Sequence, residues 1–431
     1  MARHAKSLPV GNENTKHISM GVLALCFPVS QVQAIITRCG KASQRIRDLP
    51  AVVVVFYVIA LSLFSGAGYQ SVLRWLLAGM QWLGAGTFRV SGKGALSAAR
   101  QRLGVEPMRC IHEQLAVPLA DANLAGCFWK KMNVVAIDGS TLALQDTASN
   151  AQAFGRSSNQ NGDAAYPLAR FVALAETGTH MIFAAQLGRY RDSEITLAGK
   201  LTTSLKPGML CLADRLFPGY ELWERFAATG AHLLWRAKTN LHLERIQDLP
   251  DGSWLANWRP GRKTKSESTG QIVRVIEYKL TPPRTSTDEQ TKAGPEVYRL
   301  ITTILDPATA NARELAEFYP QRWEIELTIK ENKSILRKGQ VTLRSKVAEL
   351  VEQEFWGLLL GHYLVRKMMA QAALKQGVDP DILSYQGSVE IIKATQAGAV
   401  LSFSPSDKKS GVQHDARKHR DEQSGKQPRS E

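Results

Sequence analysis

A chain of 431 residues is too long for one ordinary core, so two or three domains are expected. Its formal net charge of +15 points to a polyanionic partner. Nucleic acid comes before an anionic membrane, because the charge is spread along the chain and not gathered into one basic block. The five cysteines are widely spaced and form no C-x2-C pair, which argues against structural zinc and for reduced thiols in a cytosolic compartment. No Walker A motif is present, so a nucleotide-driven motor is set aside.

The first 125 residues read as a helical domain suited to DNA binding, with a plain supporting role as the alternative. "ISMGVLALCF" follows a basic start, but polar "GNENTKH" intervenes and no clear cleavage site follows, so export is rejected. "PAVVVVFYVIALSLF" is shorter than the roughly 18–20 residues that span a bilayer and predicts a buried helix. "SVLRWLLAGMQWL", "ALSAARQRLG" and "IHEQLAVPLA" continue the helical pattern. Arg45, Arg47, Arg89, Lys93, Arg100 and Arg102 supply positive charge there.

Short apolar runs bounded by Gly, Asp or Thr then read as strands: "NVVAID", "RFVALAE", "MIFAAQLG", "MLCLAD" and "AHLLWRA". Helical stretches lie between the later ones, which predicts an α/β core over 126–239. Residues 240–298 read as a β-rich insertion. The core resumes over 299–372 and carries a long helical region. Residues 373–431 hold a further helical segment, then a polar tail from about Ser404 whose composition predicts disorder.

Two apolar strands end in an aspartate, at Asp138 and Asp214. Taken singly, such an aspartate is more often a turn former or a helix cap. The pair gains meaning from "YPQRWEIELTIKENK" (Tyr319–Lys333). On a helix advancing about 100° per residue, Arg322, Lys330 and Lys333 fall within about 40° of Glu326. The apolar Phe318, Ile325, Ile329 and Leu336 gather beside that stripe and not opposite it. Glu326 is therefore expected at the edge of the core, where it can converge with the aspartates. A solvated salt-bridge face is the competing reading. Three carboxylates bordered by basic residues suit metal-assisted phosphodiester chemistry, since Mg²⁺ prefers oxygen ligands. The nine histidines show no metal-ligand spacing. Asp146, Asp163, Asp192 and Glu194 sit in polar or turn-like settings and are left out of the triad.

Tyr319, Arg322, Glu326 and Lys333 match the Tyr-(2)-Arg-(3)-Glu-(6)-Lys signature, and the chain resembles the insertion sequence four family of bacterial transposases over about residues 30–370. "AIDGSTLAL" and "LADRLFPGYELWERFAATGAHLLWRAK" resemble its two aspartate regions. The resemblance implies a ribonuclease-H-like catalytic core interrupted by the β-rich insertion and preceded by the helical domain. It implies cut-and-paste transposition, in some members through a DNA hairpin. Asp138, Asp214 and Glu326 would be catalytic and bind two Mg²⁺ ions, with Mn²⁺ as a substitute. Tyr319, Arg322, Lys330 and Lys333 would grip the DNA backbone, and Arg215 would contact DNA or pair with a carboxylate. Trp254, Trp258 and Trp323 are candidates for holding a flipped base, against plain packing. The partners implied are double-stranded terminal inverted repeats, target DNA and a second copy of the chain in a synaptic complex, with no membrane, in the bacterial cytoplasm at the nucleoid. A ribonuclease-H-like nuclease without strand transfer, or a DNA-binding regulator with a decayed core, are the alternatives.

Overall fold

The structure is a computed structural model that describes residues 20–45, 49–82, 91–159, 162–261, 270–280, 296–333 and 342–394. Arg47, Arg89, Leu336 and the polar tail lie outside the described residues.

Helices open the chain: α1 (Met20–Cys26), α2 (Val29–Arg38), α3 (Ala51–Leu63), α4 (Tyr69–Trp82), α5 (Lys93–Leu103) and α6 (Glu106–Leu115). The Val-rich run forms α3, and every residue from Val53 to Leu63 is buried. Among the described residues no helix is long and apolar enough to cross a membrane.

The central region follows as β1 (Phe128–Trp129), β2 (Met132–Ala143), α7 (Ala148–Phe154), β3 (Ser158–Asn159), β4 (Gly162–Asp163), β5 (Leu168–Glu176), β6 (Ile182–Arg189), α8 (Glu194–Gly199), β7 (Met209–Ala213), α9 (Tyr220–Ala227) and β8 (His232–Ala237). The remaining strands are β9 (Glu244–Asp248), β10 (Trp254–Trp258), β11 (Gln271–Leu280) and β12 (Glu296–Thr302). Then come α10 (Ala312–Phe318), a 3-10 segment over Tyr319–Trp323, α11 (Glu324–Glu331), α12 (Ala348–Gln376) and α13 (Tyr385–Ala394).

The main sheet runs β6-β5-β2-β7-β8-β12-β11-β10-β9, with β1 paired to β2. β2, β5 and β6 form an antiparallel meander, while β7 and β8 run parallel to β2. That order, with helices on both faces, is a ribonuclease-H-like core. β8 pairs antiparallel with β12, and β12 with β11, so the β-rich insertion prolongs the core sheet.

Two layers of helices cover the sheet. Glu194 of α8 lies against Gly139, where an added Cβ would come within 2.6 Å of its carboxyl carbon. Trp223 of α9 meets Trp235 edge-on at 5.2 Å. Asp138 and Ser140 point to the opposite face by strand alternation, where α11 and α12 pack. Phe355 of α12 touches Phe171 of β5 at 5.6 Å between ring centres. The N-terminal helices stack outside α12, and one hydrophobic cluster runs from Val22 to Val389.

Candidate active site

Asp138 does not end its strand. β2 continues five residues further, because β5 pairs with it as far as Ala143. What ends is its parallel neighbour: Ala213, the last residue of β7, pairs with Ile137. Asp138 and Asp214 therefore lie side by side where the sheet opens, at the carboxyl edge of the parallel strands, a common place for binding crevices. The sequence run "VVAID" ends in polarity, and polarity was a poor guide to where the strand stops.

Each aspartate is held by its own backbone. Asp138 Oδ1 accepts from Gly139 N–H at 2.8 Å, and Asp214 Oδ1 accepts from Leu216 N–H at 2.8 Å. Burial raises the Asp138 carboxyl from 3.8 to about 6. The Gly139 bond opposes that rise, Asp214 and Glu326 add to it, and Arg322 opposes it. Asp138 thus feels both Asp214 and Glu326.

The signature segment is not one uniform α-helix. Tyr319–Trp323 winds as a 3-10 segment, with Pro320 in its first turn, and α-geometry resumes at Glu324. Tyr319 is buried, and its hydroxyl donates to Ala213 O at 3.0 Å, tying the signature to the end of β7. Burial pushes the Tyr319 pKa up. Arg322 is also buried and holds Glu326 Oε1 at 2.9 Å from Nη1. Burial works against its charge, but Tyr319, Glu326 and Asp138 outweigh that and keep its pKa above the ordinary value. Its guanidinium also lies 4.7 Å from the Trp323 ring centre.

Lys333 Nζ donates to Ser140 Oγ at 2.7 Å, two residues along the same strand face from Asp138. Ser140 was not singled out from the sequence, although the period-2 alternation carried the signal. Lys330 and Arg215 are exposed. Trp323 is 56% exposed, whereas Trp254 and Trp258 are buried. Trp258 packs on Tyr220 and Trp223, each at 5.7 Å. Of the acidic residues left out of the triad, Asp146 pairs with Arg156, Asp192 accepts from Arg189 N–H at 2.7 Å, and Glu194 pairs with Arg170.

Behind α11, His180 Nδ1 meets Thr328 Oγ1 at 3.0 Å, and its Nε2 meets Asp381 at 2.8 Å and Glu324 at 3.5 Å. The ligand-capable atoms of His180, Glu324 and Asp381 lie within 4.8 Å of one another. No sequence spacing announces this group, because its members are 144 to 201 residues from His180. It fastens α11 to the β5–β6 turn.

Sheet order defines a ribonuclease-H-like core, with Asp138 and Asp214 at the open edge of its parallel strands. Residues 129–364 match the family described as transposase DDE domain, and residues 17–113 match the insertion element 4 transposase N-terminal family. The chain belongs to the transposase DDE-domain family and is a DNA transposase of the DDE type. It is 28% identical over 365 residues to transposase InsG for insertion sequence element IS4 of Escherichia coli (strain K12), covering 83% of this chain and 79% of that protein. The putative transposase InsZ of the same organism is 26% identical over 224 residues, 51% of this chain and 73% of that one. A cryo-EM structure of a piggyBac transposase synaptic complex with hairpin DNA matches 97% of this chain and 87% of its own at 11% identity; its TM-score of 0.44 is too low to carry weight. Membership brings DNA binding and a general dependence on divalent metal.

Proposed function

We propose that this transposase excises and reinserts an insertion sequence by cut-and-paste, with Asp138, Asp214 and Glu326 holding two Mg²⁺ ions that Mn²⁺ can replace. The observation that carries this reading is the geometry: Asp138 and Asp214 lie side by side where β7 stops, and the signature segment that bears Glu326 is tied to the same strand end by Tyr319. Burial and the two other carboxylates raise the Asp138 carboxyl, which a cation would relieve. The donor set is oxygen only, which suits a hard cation. When bound, the ions activate an attacking water or 3′-hydroxyl and stabilise the leaving oxygen.

The protein's own residues supply the positioning. Tyr319 fixes the end of β7 and so the approach to Asp214. Arg322 sets the direction of Glu326. Lys333, held by Ser140, offers an ammonium to a phosphate oxygen beside Asp138. Arg215, exposed next to Asp214, holds the DNA backbone, and exposed Lys330, on the side of α11 that carries Glu324, holds it further along. Trp323 is the exposed aromatic that suits an unstacked base at a hairpin end. The substrates are double-stranded terminal inverted repeats and target DNA, joined in a synaptic complex by two copies of the chain, in the bacterial cytoplasm at the nucleoid.

The test is incubation with the element's flanking DNA and Mg²⁺, with products sized on denaturing gels. Cleaved ends and strand-transfer joints are expected. Asp138→Ala, Asp214→Ala and Glu326→Ala should each reduce cleavage about 10³-fold or more while end binding persists, a loss on the scale of removing a preorganised charge-stabilising group. Near-wild-type cutting by any folded variant removes that residue from the metal set. Cleavage without joints would identify a nuclease, and binding without cleavage a regulator.

A further inference from the structure

Away from the carboxylates, α5 of the N-terminal helices meets the start of α12. A cavity of about 230 Å³ opens at that junction. Four cationic residues line it: Lys93 and Arg100 from α5, and Arg344 and Lys346 from the segment leading into α12. Among the described residues no acidic one lines it.

Arg100 is the telling member. Its relative exposure is 4%, yet every acceptor it reaches is neutral. Nε donates to Gln353 Oε1 at 2.7 Å, and Nη2 donates to Leu350 O at 2.9 Å and Ser345 Oγ at 3.3 Å. Nη1 donates no hydrogen bond among the described residues. Buried charges are ordinarily paired, because desolvation is costly without a counter-charge. Arg344 repeats the pattern: it donates to Ser65 O at 3.2 Å and Ala67 O at 2.8 Å and lies over the Tyr69 ring at 4.2 Å. The nearby Glu354 is already engaged by Arg344 N–H, Ser345 N–H and Ser345 Oγ. Lys93 and Lys346 are exposed, and neither is ion-paired among the described residues.

We propose that this cavity is a second DNA contact, in which Lys93, Arg100 and Lys346 receive a backbone phosphate of the bound duplex. Arg344 braces the wall by holding the chain after α3. The contact would bridge the N-terminal helices and the helix that follows the signature segment, so a duplex engaged at the carboxylates would be gripped at a second point. A phosphodiester fits the anion demand, and the exposed lysines leave a mouth open to a polymer. The inference rests on the DNA transposase reading but not on its chemistry.

The experiment is a metal-free salt titration of end-DNA binding by wild type, Lys93→Ala, Lys346→Ala and the double variant. The lysines are exposed, so these chains should fold, whereas Arg100 is built into the α5–α12 contact. Removing both lysines should flatten the slope of log K against log salt by up to about 0.9, the share of one neutralised phosphate, and each single variant by part of that. DNA carrying one neutral methylphosphonate at successive positions then locates the phosphate. One position should weaken wild type clearly more than the double variant, which keeps only Arg100 for that phosphate. An unchanged slope, or equal methylphosphonate sensitivity in wild type and double variant, overturns the proposal. So does an unchanged slope accompanied by stabilisation of wild type alone by inorganic phosphate at matched ionic strength, which would mark a free-phosphate site. Cutting by wild type in Mg²⁺ is scored separately, so the transposase reading stands or falls on its own.

Discussion

Asp138 holds its proton more tightly in the fold than in a free chain. Burial is the first cause of its rise to about 6, and the like charges of Asp214 and Glu326 add to it. The folded chain thus holds that proton more tightly than the unfolded chain. The stabilisation this gives is fully present below about 3.8 and is lost as pH rises through about 6. Above that pH the metal-free fold carries an ionised Asp138 at a cost of about 1–3 kcal/mol, at roughly 1.4 kcal/mol per pKa unit. Asp138→Asn removes the cost. Without metal it should melt a few degrees above wild type at pH 8, and the difference should close towards pH 4. Mg²⁺ should raise the melting temperature of wild type more than that of the variant. Thermal melts across pH, with chelator and with Mg²⁺, check this, and equal melting at every pH would show that the carboxylates do not strain the fold.

The signature segment works as an element because it is anchored at both ends. Tyr319 ties its start to β7, and Lys333 ties its end to β2. Removing the first tie leaves Ala213 O buried without that donor, a loss of about 1–2 kcal/mol. Tyr319→Phe should therefore destabilise the chain by that amount, and it should reduce cleavage more than DNA binding, because Asp214 follows Ala213 directly. Parallel measurements of denaturant stability, end binding and cutting decide it: an equal loss of binding and cutting would place Tyr319 on the DNA instead. At this scale the sequence was informative about residue types and less so about geometry. The apolar runs marked β2, β5, β6, β7 and β8, since burial on both faces leaves continuous Val, Leu and Ala. The point where β7 stops beside β2 is set by pairing between distant segments and cannot be read within either run. The stripe of Arg322 and Glu326 survived the 3-10 turn because their four-residue spacing still lets Nη1 reach Oε1. The attachment of β12 to β8 and the grouping of His180 with Glu324 and Asp381 are long-range contacts with no local pattern.

At the scale of the whole molecule, α3 and α12 decide whether the N-terminal helices and the catalytic core unfold as one. They pack closely because α12 offers Gly357 and Gly361, one turn apart. A Cβ on Gly357 would meet Val58 Cγ1 at 2.7 Å and Val58 O at 2.9 Å; one on Gly361 would meet Ser62 Oγ at 2.0 Å. Alanine gains about 1 kcal/mol over glycine in a free helix, but overpacking costs about 1–3 kcal/mol. The obstruction at Gly357 includes backbone, which cannot move aside, so Gly357→Ala should destabilise the chain by about 1–2 kcal/mol. At Gly361 the obstruction is a single hydroxyl whose bond is local, to Ile59 O at 2.7 Å. Gly361→Ala should therefore be destabilising alone and recover in the double variant Ser62→Ala/Gly361→Ala. Since one hydrophobic cluster joins the two regions, Gly357→Ala should lower a single cooperative transition in calorimetry. Two transitions, with only the first displaced, would show that the N-terminal helices fold as a separate unit and that α12 is a docking surface and not a shared core.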